Sequence, residues 1–134
     1  MPLVNALWES VDRVLKPLDI TARQGAFLAS VQVGEATTPG ELARVYGVEM
    51  SSVTRMLERM ERKGLVQRVR SGDDRRRVIV RVTAAGKRKV KDALPLAAKV
   101  AQHTWQNVTA AERETLHRVI DKVMRNLGVE HPLR

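Results

Sequence analysis

Residues 38–82 read TPGELARVYGVEMSSVTRMLERMERKGLVQRVRSGDDRRRVIVRV, and this stretch decides the fold. Thr38 is followed by Pro39 and then by Glu41, a capping box with proline at the first helical position. Leu42, Ala43 and Val45 continue a short helix that stops at Gly47. Beyond Val48 and Glu49, the residues Val53, Met56, Leu57 and Met60 recur at spacings of three and four. They form one face of a second helix over about 50–63, closed by Gly64 as a left-handed cap. Two helices joined by so short a glycine-containing link make a helix-turn-helix. The period then changes. Residues 65–70 are strand-like, Ser71-Gly72-Asp73-Asp74 is a turn cluster, and Val78, Val80 and Val82 alternate with Ile79 and Arg81. Two strands around a polar turn make a hairpin, and its tip is rich in arginine.

With Val53, Met56, Leu57 and Met60 turned inward, a 100° wheel turns Ser51, Arg55, Glu58 and Arg62 outward, with Ser52 and Arg59 flanking. A small polar first turn followed by arginine suits a helix whose N-terminal part enters a DNA major groove. Serine and threonine there donate to phosphates or base edges, and arginine grips guanine with two hydrogen bonds worth roughly 1–3 kcal/mol of discrimination. The helix N-terminus favours a nearby phosphate. An ordinary amphipathic helix with a solvated face has the same pattern. The hairpin adds weight to the nucleic-acid reading. Arg75, Arg76 and Arg77 are adjacent and repel one another, which a phosphate backbone opposite would relieve. An arginine at a loop tip also suits a narrow minor groove. The competing role is a solubilising cluster that discourages strand pairing.

Charge points the same way. The chain has 134 residues and a net charge of +9. Residues 41–91 hold 15 Lys and Arg against 6 Asp and Glu, while the other 83 residues hold nine of each. The whole excess therefore lies in the helix-turn-helix, the hairpin and what immediately follows, a localised field suited to a polyanion.

Both flanks read as helices. Leu3, Leu7, Val11, Val14 and Leu18 recur over residues 2–16, with Trp8 and Leu15 widening the stripe, and Pro17 ends the pattern. A second helix runs from about Ala22 to Val33, with Thr21 as N-cap and Gly34 as terminator. After the hairpin, Thr83 caps a helix through Lys87–Leu94. Pro95 either kinks it or starts a new one, and helical character resumes over Leu96–Trp105. Thr109 and Glu112 form another capping box ahead of Leu116, Val119, Ile120, Val123 and Leu127. The order is α-α-α-α-β-β-α-α, a mainly α chain with a small β-hairpin wing. The apolar stripes of residues 3–18 and 96–127 carry no charge excess. Isologous pairing of two copies would bury them; packing within one chain is the alternative.

At this point the residues resemble a known family. Leu42-Ala43, Ser51-Ser52-Val53-Thr54-Arg55, Glu61-Arg62-Lys63-Gly64-Leu65-Val66-Gln67-Arg68, Asp74-Arg75-Arg76-Arg77-Val78 and Val82-Thr83-Ala84-Ala85-Gly86 are similar, in order and spacing, to the MarR family of transcriptional regulators. The resemblance covers roughly residues 20–90, and the helical arms extend it over nearly the whole chain. It implies a single MarR-like chain, residues 1–134. Residues 20–90 would form the winged helix-turn-helix lobe, and residues 1–18 and 91–134 the dimerisation helices. It implies a homodimeric repressor on a pseudopalindromic double-stranded DNA operator. Ser51, Ser52, Thr54, Arg55 and Arg59 would contact DNA from the recognition helix, and Arg70, Asp74, Arg75, Arg76 and Arg77 from the wing. Arg76 would reach the minor groove and Asp74 would orient the wing through ion pairs. One departure is visible: Glu49 stands where the family often has serine, a poorer cap that sets a negative charge near the DNA.

Other classes find less support. Hydrophobic residues make up 43% of the chain, too many for a disordered one. There is no cysteine, which excludes disulfide scaffolds, cysteine zinc fingers and thiol sensors. No nucleophile elbow, phosphate loop or metalloprotease motif suggests an enzyme, and no cofactor is implied. His103, His117 and His131 share no i, i+4 spacing, so no metal site is expected. No apolar run approaches a membrane span, and the N-terminus lacks a signal-peptide pattern, so a cytoplasmic location is expected. Trp8, Phe27, His103 and Trp105 are a candidate effector pocket, since family members often bind phenolic or other small aromatic acids; an ordinary core role is the alternative. A non-specific architectural nucleic-acid binder and a protein-binding winged helix remain as other readings.

Overall fold

The computed structural model describes residues 2–72 and 76–129. Its elements are α1 (Pro2–Leu15), α2 (Ala22–Gln32), α3 (Pro39–Tyr46), α4 (Met50–Arg62), β1 (Val66–Arg70), β2 (Val78–Val82), α5 (Ala84–Thr104) and α6 (Ala110–Asn126), with a 3₁₀ turn at Lys16–Leu18. The fold is mainly α with a two-stranded antiparallel sheet, the winged-helix arrangement expected. Two compact units are distinguished, Met1–Val100 and Ala101–Arg134. Among the described residues no helix is long and apolar enough to cross a membrane.

Local chemistry fixes the helix starts. Thr21, Thr38 and Thr109 each accept a hydrogen bond from the amide three residues on, and Gln24, Glu41 and Glu112 reach back to the cap amides. These complete capping boxes satisfy amides that a helix start leaves orphaned. Gly47 and Gly64 take left-handed backbone, φ 59° and 71°, just past α3 and α4, a conformation nearly free of steric cost only for glycine. Two expectations are refined. Pro17 lies inside the 3₁₀ turn rather than ending the chain's helical course at once, and Asp19 follows it in left-handed backbone. Pro95 neither stops nor restarts a helix: α5 runs through it from Ala84 to Thr104.

The core of the first unit gathers side chains from every one of its elements. Leu28, Leu42, Val53, Leu57, Met60 and Val80 are its largest fully enclosed side chains. Burying each is worth about 1.5–3 kcal/mol over leaving it in water. A polar joint fastens α2 to α3. The Tyr46 hydroxyl donates to the Ala26 carbonyl at 2.8 Å and lies 2.6 Å from the Ser30 hydroxyl. The Tyr46 ring packs on Phe27 with centroids 4.5 Å apart. Burial pushes the Tyr46 phenol up, and the Ser30 hydrogen bond partly offsets this.

The wing is set against this core with little freedom. Val66 pairs with Val82, Arg68 with Val80 and Arg70 with Val78. At the base, the Thr83 amide donates to the Leu65 carbonyl at 3.0 Å and its hydroxyl to the Gly64 carbonyl at 2.6 Å. The Gly86 amide then donates to the same hydroxyl at 3.1 Å. A Cβ at Gly86 would stand 2.2 Å from the Leu65 carbonyl oxygen. That contact is the physical content of the Thr83-x-x-Gly86 pattern: the first turn of α5 rides directly on the entry to β1.

Candidate nucleic-acid interface

The interface starts from the amphipathicity of α4. Val53, Leu57 and Met60 are buried, so the opposite side must face solvent. Ser51, Ser52, Arg55, Glu58, Arg59 and Arg62 are exposed, and Thr54 is half-buried. Part of this side is pre-ordered by its own helix. The Thr54 hydroxyl donates to the Met50 carbonyl at 3.0 Å, and Nε of Arg55 to the Ser51 carbonyl at 3.3 Å. The Arg55 guanidinium thus lies along the first turn, among the serines.

Glu49 is the N-cap of α4, in extended backbone, and its side chain makes no capping hydrogen bond. Its carbonyl accepts from Ser52 and Val53 at 3.0 and 3.2 Å. The helix start is therefore not capped by the Glu49 carboxylate, which is exposed beside its first-turn amides. The amides attract an anion and the carboxylate opposes one.

In the wing, Arg70, Arg76 and Arg77 are exposed. The Ser71 amide donates to the Arg77 carbonyl at 2.9 Å, carrying the ladder one step past the strands. Asp74 and Arg75 lie outside the described residues, as does Asp73. The exposed face of α4 and the wing arginines belong to one unit and are joined by the short Lys63-Gly64-Leu65 link.

Residues 20–78 match the MarR family. The chain is 35% identical over 127 residues to the multiple antibiotic resistance protein MarR of Escherichia coli (strain K12), covering 91% of this chain and 88% of that protein. The chain belongs to the MarR family. It is a winged-helix, DNA-binding transcriptional regulator. A crystal structure of a mutant MarR from E. coli complexed with operator DNA matches with TM-score 0.80 and 34% identity, over 92% of this chain and 91% of that one. The organohalide-sensing regulator RdhR in its 2,4-dichlorophenol-bound form shares the fold, with TM-score 0.82 and 23% identity over 93% and 75% of the two chains.

The four residues named for an effector pocket of this regulator have different settings. Trp8 is half-buried and lines an apolar cavity of about 230 Å³ with Val11, Leu15, Ala26, Val90 and Ala97. The Arg23 guanidinium lies 5.4 Å from the Trp8 ring. Phe27 does not line that cavity; it is a core residue against Tyr46. His103, exposed, and Trp105, half-buried, lie in the second unit. Among the described residues no group of three His, Asp or Glu is placed to hold a metal ion.

Three features went unread in the sequence. One is the Tyr46–Ser30–Ala26 joint. Another is a pair of lysines on the 3₁₀ turn: Lys63 donates to the Asp19 carbonyl and Lys89 to the Leu18 carbonyl, and Lys63 also lies 3.5 Å from the Asp19 carboxylate. The third is a bond between Glu61 and Arg68, where opposite charges seven residues apart across a glycine turn were the available signal. The Arg68 guanidinium holds the Glu61 carboxyl below its ordinary range, and Glu61 raises Arg68 in return.

Proposed function

We propose that this regulator is a homodimeric repressor that binds a pseudopalindromic operator and releases it when a small aromatic or phenolic ligand binds. Each α4 enters a major groove, with Ser51, Ser52, Thr54, Arg55 and Arg59 facing bases and phosphates. Each wing lies along the flanking minor groove, with Arg76 inside it and Arg70, Asp74, Arg75 and Arg77 at its edges. Residues 20–90 act as the DNA-binding lobe, and residues 1–18 and 91–134 as the dimerisation arms. The observation that carries this reading is the joining of the exposed face of α4 to an arginine-bearing hairpin within one unit, inside the segment 41–91 that carries the chain's charge excess.

Two further observations support the details. Leu3, Val4 and Leu7 of α1 and Leu116, Val119, Ile120 and Val123 of α6 are exposed apolar residues at helical spacing, and a second copy would cover them. The cavity beside Trp8 has almost entirely apolar walls, which suits an aromatic ring, and the RdhR regulator of the same fold holds a chlorinated phenol.

The test is a gel-shift titration on a duplex selected from random-sequence DNA by the purified protein. Recovery of a two-fold-symmetric site is expected; recovery of no preferred sequence would favour a non-specific architectural role for the same basic segment. Arg76→Ala should weaken binding up to about 100-fold and Arg55→Ala about tenfold, within the range for arginine readout. Affinity should fall steeply with salt as phosphate contacts release counterions. Unchanged affinity in both variants would remove this docking.

A further inference from the structure

We infer that Glu61 is a positioning residue for DNA binding: by gripping Arg68 it pins the wing to the recognition helix and sets the spacing between the two groove contacts. This rests on the docking proposed above and adds to it the part that holds the two contacts in register.

Glu61 lies in the last turn of α4 and Arg68 in the middle of β1. Three hydrogen bonds join them. The Arg68 backbone amide donates to Oε1 at 3.0 Å, and its Nε and a terminal nitrogen donate to Oε2 at 2.9 and 2.7 Å. The carboxylate therefore holds the strand backbone as well as the side chain. Arg68 pairs with Val80 across the sheet, and the Val80 amide is not spent on β1: it donates to the Thr37 carbonyl at 2.8 Å. Both amides of this rung point outward, away from the partner strand, as in a non-hydrogen-bonded antiparallel pair. Each is taken by a different element of the lobe, α4 on one edge and the segment before α3 on the other.

A lone two-stranded ribbon is marginal by itself, so this doubly held rung fixes its direction. From Val80 of the rung to Arg76 is four residues, at most about 14 Å of chain. A tilt of about 10° at the rung would move Arg76 by up to about 2 Å, a third of the width of a minor groove of about 6 Å. The Thr37 anchor is a backbone carbonyl. The Glu61 anchor is a side chain, and it alone can be removed by substitution.

The sign of the effect separates this role from plain electrostatics. Glu61 is an acid within a cationic segment. Its removal should tighten DNA binding if only charge mattered, and weaken it if the brace matters. With side chains about one-third exposed, 32% for Arg68 and 30% for Glu61, the pair adds little to stability.

The experiment compares the full-length protein, Glu61→Ala, and the exchanged double variant Glu61→Arg with Arg68→Glu, on the duplex selected by the unaltered protein. Affinity, thermal midpoint, guanine N7 protection in the major groove and hydroxyl-radical protection in the minor groove are read together. Glu61→Ala is expected to lose five- to fifty-fold in affinity and to lose minor-groove protection. Guanine protection should persist and the midpoint should move by only a few degrees. The exchanged pair should recover part of the minor-groove protection. Equal or tighter binding by Glu61→Ala with an unchanged footprint would overturn the inference, as would parallel loss of both protections. No minor-groove protection by the unaltered protein would instead remove the docking, and this inference with it.

Discussion

Helices α4 and α6 are built alike and end up in different circumstances. Each carries apolar residues at three- and four-residue spacing and a charged opposite side. In α4, Val53, Leu57 and Met60 are at most 1% exposed. In α6 no residue is buried, and Leu116, Val119, Ile120 and Val123 are 42–51% exposed. Periodicity announces that a face needs covering. It does not say whether the cover comes from the same chain. The stripe of α4 is satisfied internally, which leaves its other side to solvent; that of α6 is left exposed, and is the face proposed above to pair with a second copy.

The sharpest way to break this comparison is to damage both stripes. Leu57→Ala should cost about 2–5 kcal/mol, the range for cavity formation in a packed core, and lower the melting midpoint whatever the protein concentration. Ile120→Asp should leave the first unit folded, by near-unchanged circular dichroism at low temperature, and shift sedimentation from dimer to monomer. Operator affinity should fall with it, since two half-sites would no longer be held by one particle. Comparable unfolding by Ile120→Asp would mean that α6 is covered from within its own chain.

A glycine pair sharpens the same contrast. Gly86→Ala forces a methyl into the Leu65 carbonyl, and backbone cannot swing aside as a side chain does. The cost should reach or exceed the 1–3 kcal/mol of ordinary overpacking, read as a lower thermal midpoint. At Gly128, after α6, an added Cβ meets nothing within 4 Å and only the positive φ of 68° resists it. Gly128→Ala should therefore cost less, about 1–2 kcal/mol. Equal costs would show that the surroundings of Gly86 and Gly128 are packed alike.

The smallest effects belong to the capping boxes. Thr38→Ala should cost about 1 kcal/mol, and Thr109→Ala less, because the α6 box is fully exposed. The Glu41 carboxyl is held below its ordinary value near 4.5, first by the Thr37 amide, against an opposing desolvation. A carboxyl lowered on folding stabilises the fold above its unfolded value, and that contribution is lost as pH falls through the lowered folded value. Denaturant titrations from pH 6 down to pH 3 should show a loss that Glu41→Gln diminishes. Glu112 is lowered by Thr109 in the same way, and Glu112→Gln should change the profile less. A larger change from Glu112→Gln would reverse the ranking of the two regions.

Much of this was legible beforehand because it is local. The boxes at Thr38 and Thr109, the left-handed stops at Gly47 and Gly64 and the switch of period at Leu65 all involve residues within four positions of one another. The outward set Ser51, Arg55, Glu58 and Arg62, with Ser52 and Arg59 flanking, followed from the inward set by helical geometry alone. Pro95 was ambiguous because proline costs an isolated helix its hydrogen bond, whereas a long helix carries it through. Phe27 was read as a candidate pocket residue, but its setting against Tyr46 depends on how α2 meets α3, which its spacing does not record.

The sequence by itself determined the element order, the caps, the amphipathic faces and the concentration of positive charge, since each is a property of neighbours along the chain. Only the tertiary structure decided which faces find cover, that Glu61 reaches Arg68 while Thr37 takes the opposite edge of the wing, and that Gly86 sits against Leu65. Such contacts depend on the directions in which elements leave their turns, which no periodicity of residues records.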